Sequence, residues 1–496
     1  MYEVIIDCYT DEPCWLGVPP YLWTHQRYLS QALNYKNIKH YYLTIDDLRF
    51  FKNWNKRSWT EVKKTYNLTK NAYNVENLIS WARRIHIITW CFVDYDYFSC
   101  CPPMESELYD FIKDINCYIV LYYILWINNK LPQSFFKWKL YKKVSHLVLW
   151  NPYQYILNQK SDWFSSPDYN SLSKISNKKC TILDQVERKY MIEIETGSWC
   201  SHAKCSFCIE ALRKNSIKFR PVNDILNEIK TLYKQWARHI RLWKQPNIYN
   251  YMYWDPIYME KLLSWIRKIC PDIITLHIDN VDAESVITNN GIEITKLITK
   301  YCTSWNIANF WAESFDPNVR IKNNLNWDID TITKAIEIIN KYWKFIWEDW
   351  LYNFLPWINL LYWLVWQNDN TLEYNIKYLR NIYDKGFLTR RLFLRQVTNP
   401  HWSNFGGHNY SRETFNQRNE LINNEFVLPM QKKVYPEKSI ITWFEEIIQY
   451  KTETQLRKIG TCPERFILKS LVPENGTYNL KIVKHLWPRK MLWECV

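Results

Sequence analysis

The sequence predicts an α/β protein: a first parallel α/β domain, then a partial β/α barrel, then a small C-terminal region of unassigned fold. Short apolar strand patterns alternate with helical stretches through most of the chain, as in parallel sheets. The alternation restarts after a polar stretch at 159–183, and its regularity fades after about residue 410. At 496 residues the chain is too long for one ordinary domain. The boundaries expected are 1–183, 184–405 and 406–496.

Residues 2–7 (Tyr-Glu-Val-Ile-Ile-Asp) read as the first strand, ending in a turn-rich loop through Pro13, Gly17, Pro19 and Pro20. A helix over 24–33 follows, then strands near 40–43, 85–89, 119–125 and 146–149. The second series opens with a strand at 190–195 and helices at 222–235 and 255–268, the latter with Pro256 in its first turn. Strands at 273–278, 307–312, 358–361 and 392–397 alternate with helices at 292–301, 330–341 and 371–383, the succession of a complete or partial β/α barrel. Beyond it, helices are expected at 439–450 and 464–471, and 159–183 reads as a linker.

An apolar fraction of 47% is ample for real cores. No N-terminal run of basic, apolar and small residues marks a targeting signal, and the apolar run 117–127 is too short to span a bilayer. A soluble cytoplasmic protein with no membrane partner is expected. The net charge of +14 is spread along the chain without forming a patch, so nucleic-acid contact is the less favoured reading. Fourteen cysteines in a large chain of this kind point to thiols, metal or redox chemistry ahead of disulfides.

One compositional feature stands apart. The chain has 8 Gly and 28 Trp, where about 7% glycine, or about 35 residues, is ordinary; the two counts together come close to that number. Six tryptophans fall between Trp343 and Trp366, several beside turn residues where glycine is useful and Trp is not. Two explanations stand: a gene whose UGA codons mean glycine but are written as tryptophan, or a Trp-rich protein with unusual packing.

Only one cysteine group has ligand spacing. Cys200-Ser-His-Ala-Lys-Cys205-Ser-Phe-Cys208 puts three thiols within nine residues, directly after a strand. Three thiolates can ligate three irons of a cubane and leave the fourth open; they also suit zinc, with His202 as a nearby fourth donor.

This segment resembles the cluster loop of the radical S-adenosylmethionine (SAM) superfamily, in which an aromatic residue commonly precedes the last cysteine, as Phe207 does here. It departs in its first gap, four residues where three is commonest. The resemblance implies a [4Fe–4S] cluster on Cys200, Cys205 and Cys208, with S-adenosyl-L-methionine on the open iron, cleaved reductively to a 5′-deoxyadenosyl radical. Trp311-Ala-Glu313-Ser314 resembles the strand-end G-x-E-S element of such barrels, and Asn359 to Thr371 resembles the later G-L-P-G-E-T element, with Gln367 for the usual Glu. Glu313, Ser314, Asn359 and Gln367 are therefore the cofactor-binding candidates that the resemblance implies. His277, Asp279, Asn280, Arg395 and Gln396 also fall at expected strand ends, which face the active site in β/α barrels.

The first part resembles the Rossmann-like, cobalamin-binding-like domain that precedes the barrel in an uncharacterised family of Fe–S oxidoreductases; Asp11-Glu12-Pro13 and Thr44-Ile45-Asp46-Asp47 carry the likeness. The Asp-x-His-x-x-Gly motif that ligates cobalt is not found, and His40 and His86 lack its context, which argues against bound cobalamin. The resemblance covers roughly residues 1–400, and Leu456 to Gly460 faintly echoes a helix-hairpin-helix. It implies an electron donor such as ferredoxin or flavodoxin, and a substrate among RNA, protein and small molecules. The other readings are a methyl or methylthio transferase and a non-catalytic zinc- or nucleic-acid-binding protein.

Overall fold

The computed structural model describes the chain except residues 9–20, 23, 53–67, 90–102, 104, 124–138, 150, 159–166, 188, 209, 212–215, 344–345, 398–410, 443–445, 451–452, 462–463, 474–477 and 489. The expected loop through Pro13 and Pro20, with Asp11 to Pro13, lies outside the described residues, as do residues 159–166 of the expected linker. Two compact units form, one of Met1–Glu193, Asn223–His239 and Ile448–Thr452, the other of Ile194–Val222, Ile240–Ile447 and Glu453–Val496.

In the first unit, β1 (Tyr2–Asp7), α1 (Thr24–Tyr35), β2 (His40–Thr44), β3 (Ala82–Thr89), β4 (Tyr118–Tyr123) and β5 (His146–Leu149) build a five-stranded sheet of order β2-β1-β3-β4-β5. Every pairing is parallel. Val4, Ile5 and Ile6 are buried in succession, as expected of a strand covered on both faces. The order reverses between β1 and β3, the position at which open α/β sheets take ligands. At the end of β1, Asp7 accepts from Gln26 and from the Tyr42 hydroxyl, each at 2.7 Å. Where 159–183 was expected to be linker, its described part carries the helices Tyr169–Ser176 and Ile182–Gln185.

His40 and His86 are both committed inside this unit. His86 lies between Glu3 (2.7 Å) and the Tyr122 hydroxyl (2.8 Å), and His40 between Ser30 (2.7 Å) and the Ile38 carbonyl (3.0 Å). Burial pushes both imidazoles below their ordinary value.

β6 (Met191–Glu195) leads from the first unit into the second. After α2 (Val222–Tyr233) come β7 (His239–Trp243), α3 (Pro256–Ile269), β8 (Thr275–His277), α4 (Asn289–Tyr301), β9 (Asn306–Glu313), α5 (Ile329–Tyr342), β10 (Phe354–Tyr362), α6 (Asp369–Asp384) and β11 (Arg391–Gln396). Asp255 caps α3 by accepting from the Ile257 amide, with Pro256 in the first turn as the sequence predicts. Strands β8, β7 and β6 are neighbours in one sheet, and β9, β10 and β11 in another. A parallel bridge between Asn280 and Asn309 joins the two arcs. The result is a partial, six-stranded β/α barrel.

The C-terminal region corrects the sequence reading. In place of the expected helices at 439–450 and 464–471 stand β12 (Ile440–Ile441), β13 (Glu446–Tyr450) and β15 (Arg465–Leu468). With β14 (Glu453–Arg457), β16 (Leu480–Trp487) and β17 (Lys490–Cys495) they form a six-stranded sheet whose strands run β12-β16-β17-β15-β14-β13. Short apolar runs fit helix and strand periods alike, and the pairing of Phe466 with Met491 and of Gln455 with Ile467 decides for strand. The segment at Leu456 to Gly460 ends a strand and is no helical hairpin. This sheet is tied to the approach to β9: the buried Lys458 ammonium bonds Asp349, which also accepts from Ser304. His277 belongs to the same junction, accepting from the Thr461 amide (3.0 Å) and donating to the Ser304 carbonyl (2.9 Å).

Candidate metal centre

The three thiols sit where β6 runs out, at the carboxyl end of the barrel strands. The loop is held from both sides. Asn323, fully buried, receives the Ser206 amide on its carbonyl and the Ser206 hydroxyl on its Oδ1, both at 3.0 Å. Its own amide donates to Val319 and Val365 carbonyls at 2.8 and 2.9 Å, linking the loop to the turn after β10. Phe207 packs against Val319, Leu361, Leu364 and Val397, so the aromatic before Cys208 is the hydrophobic anchor of the loop. His202 donates from Nε2 to the Asn324 carbonyl at 2.8 Å, which occupies that nitrogen.

Cys200, Cys205 and Cys208 are free thiols, partly buried. Burial, with added repulsion from one another and from Glu313, pushes Cys205 up to about 12 and Cys208 to about 11; burial also raises Cys200. Among the described residues no three His, Cys, Asp or Glu side chains meet at metal-ligating distance. The thiols are nonetheless close enough to repel one another when charged, and soft thiolates in such a group suit iron–sulfur or zinc. A bound cation would displace their protons, since the thiolate is the ligand. By type, three thiols on one loop match the donors of such a centre.

Glu313 ends β9 with a left-handed backbone (φ 61°). It is buried, its Oε2 has no hydrogen-bond partner among the described residues, and burial pushes its carboxyl up to about 8 against the pull of Arg395 and Arg320. Ser314 accepts from the Asp316 amide at 3.1 Å, and Asp316 caps the helix Pro317–Lys322. Arg320 organises this corner: its guanidinium donates to the carbonyls of Ala312, Ser314 and Trp327, each at 2.6 Å, and of Asn326.

Asn359 is buried on β10 and donates to Asn309 at 2.8 Å, while its own Oδ1 has no partner among the described residues. Asn309 donates in turn to Asn280 at 3.2 Å, so three asparagines cross from strand to strand. Sequence reasoning missed Asn309; the period-two face of Asn309, Trp311 and Glu313 on β9 was the available signal. Arg241 on β7 and Asp279, two residues past β8, form a buried ion pair at 2.7 Å. Gln367 spends its amide on the turn after β10, donating to the Leu361 carbonyl (2.6 Å) and accepting from the Leu364 amide (3.1 Å). Arg395 and Gln396 are half-buried at the end of β11.

Over 76% of this chain, the architecture superposes on the cobalamin-dependent S-adenosylmethionine radical enzyme OxsB, with TM-score 0.53 and 12% identity. The chain shares the fold of that enzyme. This chain spans about half of that enzyme, 51% of its length. In sequence it is 29% identical to an uncharacterized protein of Methanocaldococcus jannaschii, over 95% of this chain and 84% of that one. It is 28% identical to an uncharacterized protein of Archaeoglobus fulgidus, over 98% and 88% respectively. No protein-family model matches the chain. Among the described residues, no helix is long and apolar enough to cross a membrane.

Proposed function

We propose that the protein is a radical SAM enzyme, with residues 1–183 as a cobalamin-binding-like domain, 184–405 as the catalytic barrel and 406–496 as an extension. The observation that carries this reading is the loop of three partly buried thiols at the carboxyl end of a partial β/α barrel, in a chain that shares the fold of a radical SAM enzyme. Cys200, Cys205 and Cys208 would hold a [4Fe–4S] cluster. When bound with SAM, that cluster supplies one-electron cleavage to a carbon radical that abstracts hydrogen. The chain's own residues bind, orient and exclude water. Glu313 and Asn359 each offer a buried oxygen without a partner, suited to accept from a bound hydroxyl or amine. Ser314 and Gln367 shape the two backbone turns such a ligand would meet. Phe207 and its apolar neighbours anchor the loop to the barrel.

The reading requires an electron donor such as ferredoxin or flavodoxin, and a substrate among RNA, protein and small molecules. A second reading, methyl or methylthio transfer, is favoured by the strand-order reversal beside β1, where a cobalamin would lie, and by the cobalamin dependence of OxsB. Against it, both candidate histidines are occupied inside the sheet. The test is anaerobic reconstitution with iron and sulfide, then reduction with SAM present. Iron with acid-labile sulfide and 5′-deoxyadenosine, both lost in Cys205→Ala, are expected. Zinc alone, with no cluster taken up, overturns the proposal.

A further inference from the structure

The anomaly of few glycines and many tryptophans has a conformational counterpart. Four helices end with the same pair of hydrogen bonds, in which two successive amides reach back to the last turn. After α6 these are Gly386 to Tyr383 (3.0 Å) and Phe387 to Ile382 (3.3 Å). After α1 they are Asn37 to Asn34 (3.0 Å) and Ile38 to Leu33 (2.9 Å). After Pro317–Lys322 they are Asn324 to Ile321 (3.2 Å) and Leu325 to Arg320 (3.0 Å). After α2 they are Trp236 to Tyr233 (3.0 Å) and Ala237 to Leu232 (3.2 Å). This motif forces its first residue into the left-handed region, and the four φ values are 73°, 56°, 51° and 66°. Glycine enters that region freely and asparagine tolerates it; a Cβ carrying an indole opposes it. Trp236 is 82% exposed, so burial gives it no compensating reason to be there.

Trp350 repeats the case in a hairpin. Its amide bonds the Trp347 carbonyl and the Trp347 amide bonds the Leu351 carbonyl, both at 2.9 Å, next to the Ile346–Tyr352 bridge. That is a turn followed by a left-handed bulge residue, the place for glycine. Here φ is 62° and the side chain is 66% exposed. Trp199, Trp254, Trp305, Trp327, Trp363 and Trp366 have φ between 61° and 78°. Among the described residues, eight of the seventeen non-glycine residues with positive φ are tryptophan, against three asparagines. A bulky residue in this region is an outlier, and no side-chain chemistry draws Trp to it. The indoles of Trp305 and Trp254 do find acceptors in Tyr435 and Ser285, but an acceptor at the ring leaves the backbone clash in place.

We infer that these eight positions are glycine in the protein as its cell makes it, each encoded by a UGA codon that is read there as glycine. The inference does not rest on the radical SAM reading. It does change the walls of the candidate site. Trp199 precedes Cys200, the Trp327 carbonyl is held by Arg320, and Trp363 and Trp366 bracket the turn bonded to Asn323. With glycine there, the surroundings of the cysteine loop are backbone and not indole.

The test is tandem mass spectrometry of the protein isolated from the cells that make it. The tryptic peptides 235–238 and 345–377 report Trp236, Trp350, Trp363 and Trp366 directly. Glycine residue masses at all four are expected, and a tryptophan mass at Trp236 or Trp350 overturns the inference. In the full chain as written, the paired substitutions Trp236→Gly and Trp350→Gly are expected to raise the urea midpoint. A midpoint that fails to rise counts equally against it.

Discussion

Replacing Arg320 by methionine keeps an apolar stem of similar length and removes five N–H donors from one buried corner of the barrel. Four carbonyls, those of Ala312, Ser314, Asn326 and Trp327, then lose this donor, and Ala312 keeps the Ser314 amide at 2.7 Å. Hydrogen bonds to a charged group contribute about 1.5–3 kcal/mol each. They share one guanidinium and do not add, so the range of about 3–5 kcal/mol for breaking a buried charged contact is the better guide. Burial pulls this guanidinium down to about 10, so it is still charged at neutral pH and cannot escape the cost by losing its proton. The loss falls on the two backbone segments beside Cys205 and Glu313, and it should appear as local opening. About 4 kcal/mol corresponds to roughly a thousandfold faster amide hydrogen exchange at Ser314, Arg320 and Leu325 if these open locally. Arg320→Lys, whose single ammonium reaches fewer of the four carbonyls, should lose roughly half as much free energy. Iron retained after anaerobic reconstitution should fall in the same order. Unchanged exchange in Arg320→Met would show that the guanidinium is not what holds residues 312–327, and the reasoning would fail.

Single Cys200→Ala, Cys205→Ala and Cys208→Ala variants should each lose bound iron, whereas Cys302→Ala, buried alone on the far side of α4's last turn, should keep it. Equal iron in all four would refute the assignment. Lys458→Met leaves Asp349 charged and buried, and should destabilise by about 3–5 kcal/mol in urea titrations. Adding Asp349→Leu should recover most of that; a double variant no better than the single would refute it. Asp47 provides a pH signature. Burial pushes its carboxyl from 3.8 up to about 7, against the donated amides of Thr44 and Thr69. The folded state therefore holds this proton more tightly than the unfolded chain, so stability falls as pH rises from about 4 to about 7. Asp47→Asn should flatten that decline in a pH series of urea midpoints, and an unchanged slope would contradict the assignment.

Much of the architecture was legible because its signals are local. Strand β1 reads as six residues of β-forming chain, Asp255-Pro256 announces the start of α3, and the 3.6-residue periods of α5 and α6 set their extents to within a few residues. The cysteine spacing and Phe207 identified the loop at the end of β6, since ligand spacing is a property of the chain before it folds. Legibility stopped where distant residues decide. Arg465–Leu468 has an apolar run that either period accommodates, and it becomes a strand because Lys490–Cys495 and Glu453–Arg457 are there to pair with it. His277 looks like an active-site histidine in sequence, yet Thr461 and Ser304 occupy both its nitrogens.

By itself, the sequence determined the alternation of strands and helices, the three-thiol loop and the shortage of glycine, all of which depend on residue type and spacing. Only the tertiary structure decided that Glu313 is buried with a free oxygen, that Asn280, Asn309 and Asn359 meet across three strands, and that Arg320 binds the corner beneath them. Burial and the closing of hydrogen bonds between residues far apart in the chain exist only once the barrel has formed. The left-handed backbone at Trp236 and Trp350 is of the same kind: composition raised the question, and helix-end and hairpin geometry assigned the positions.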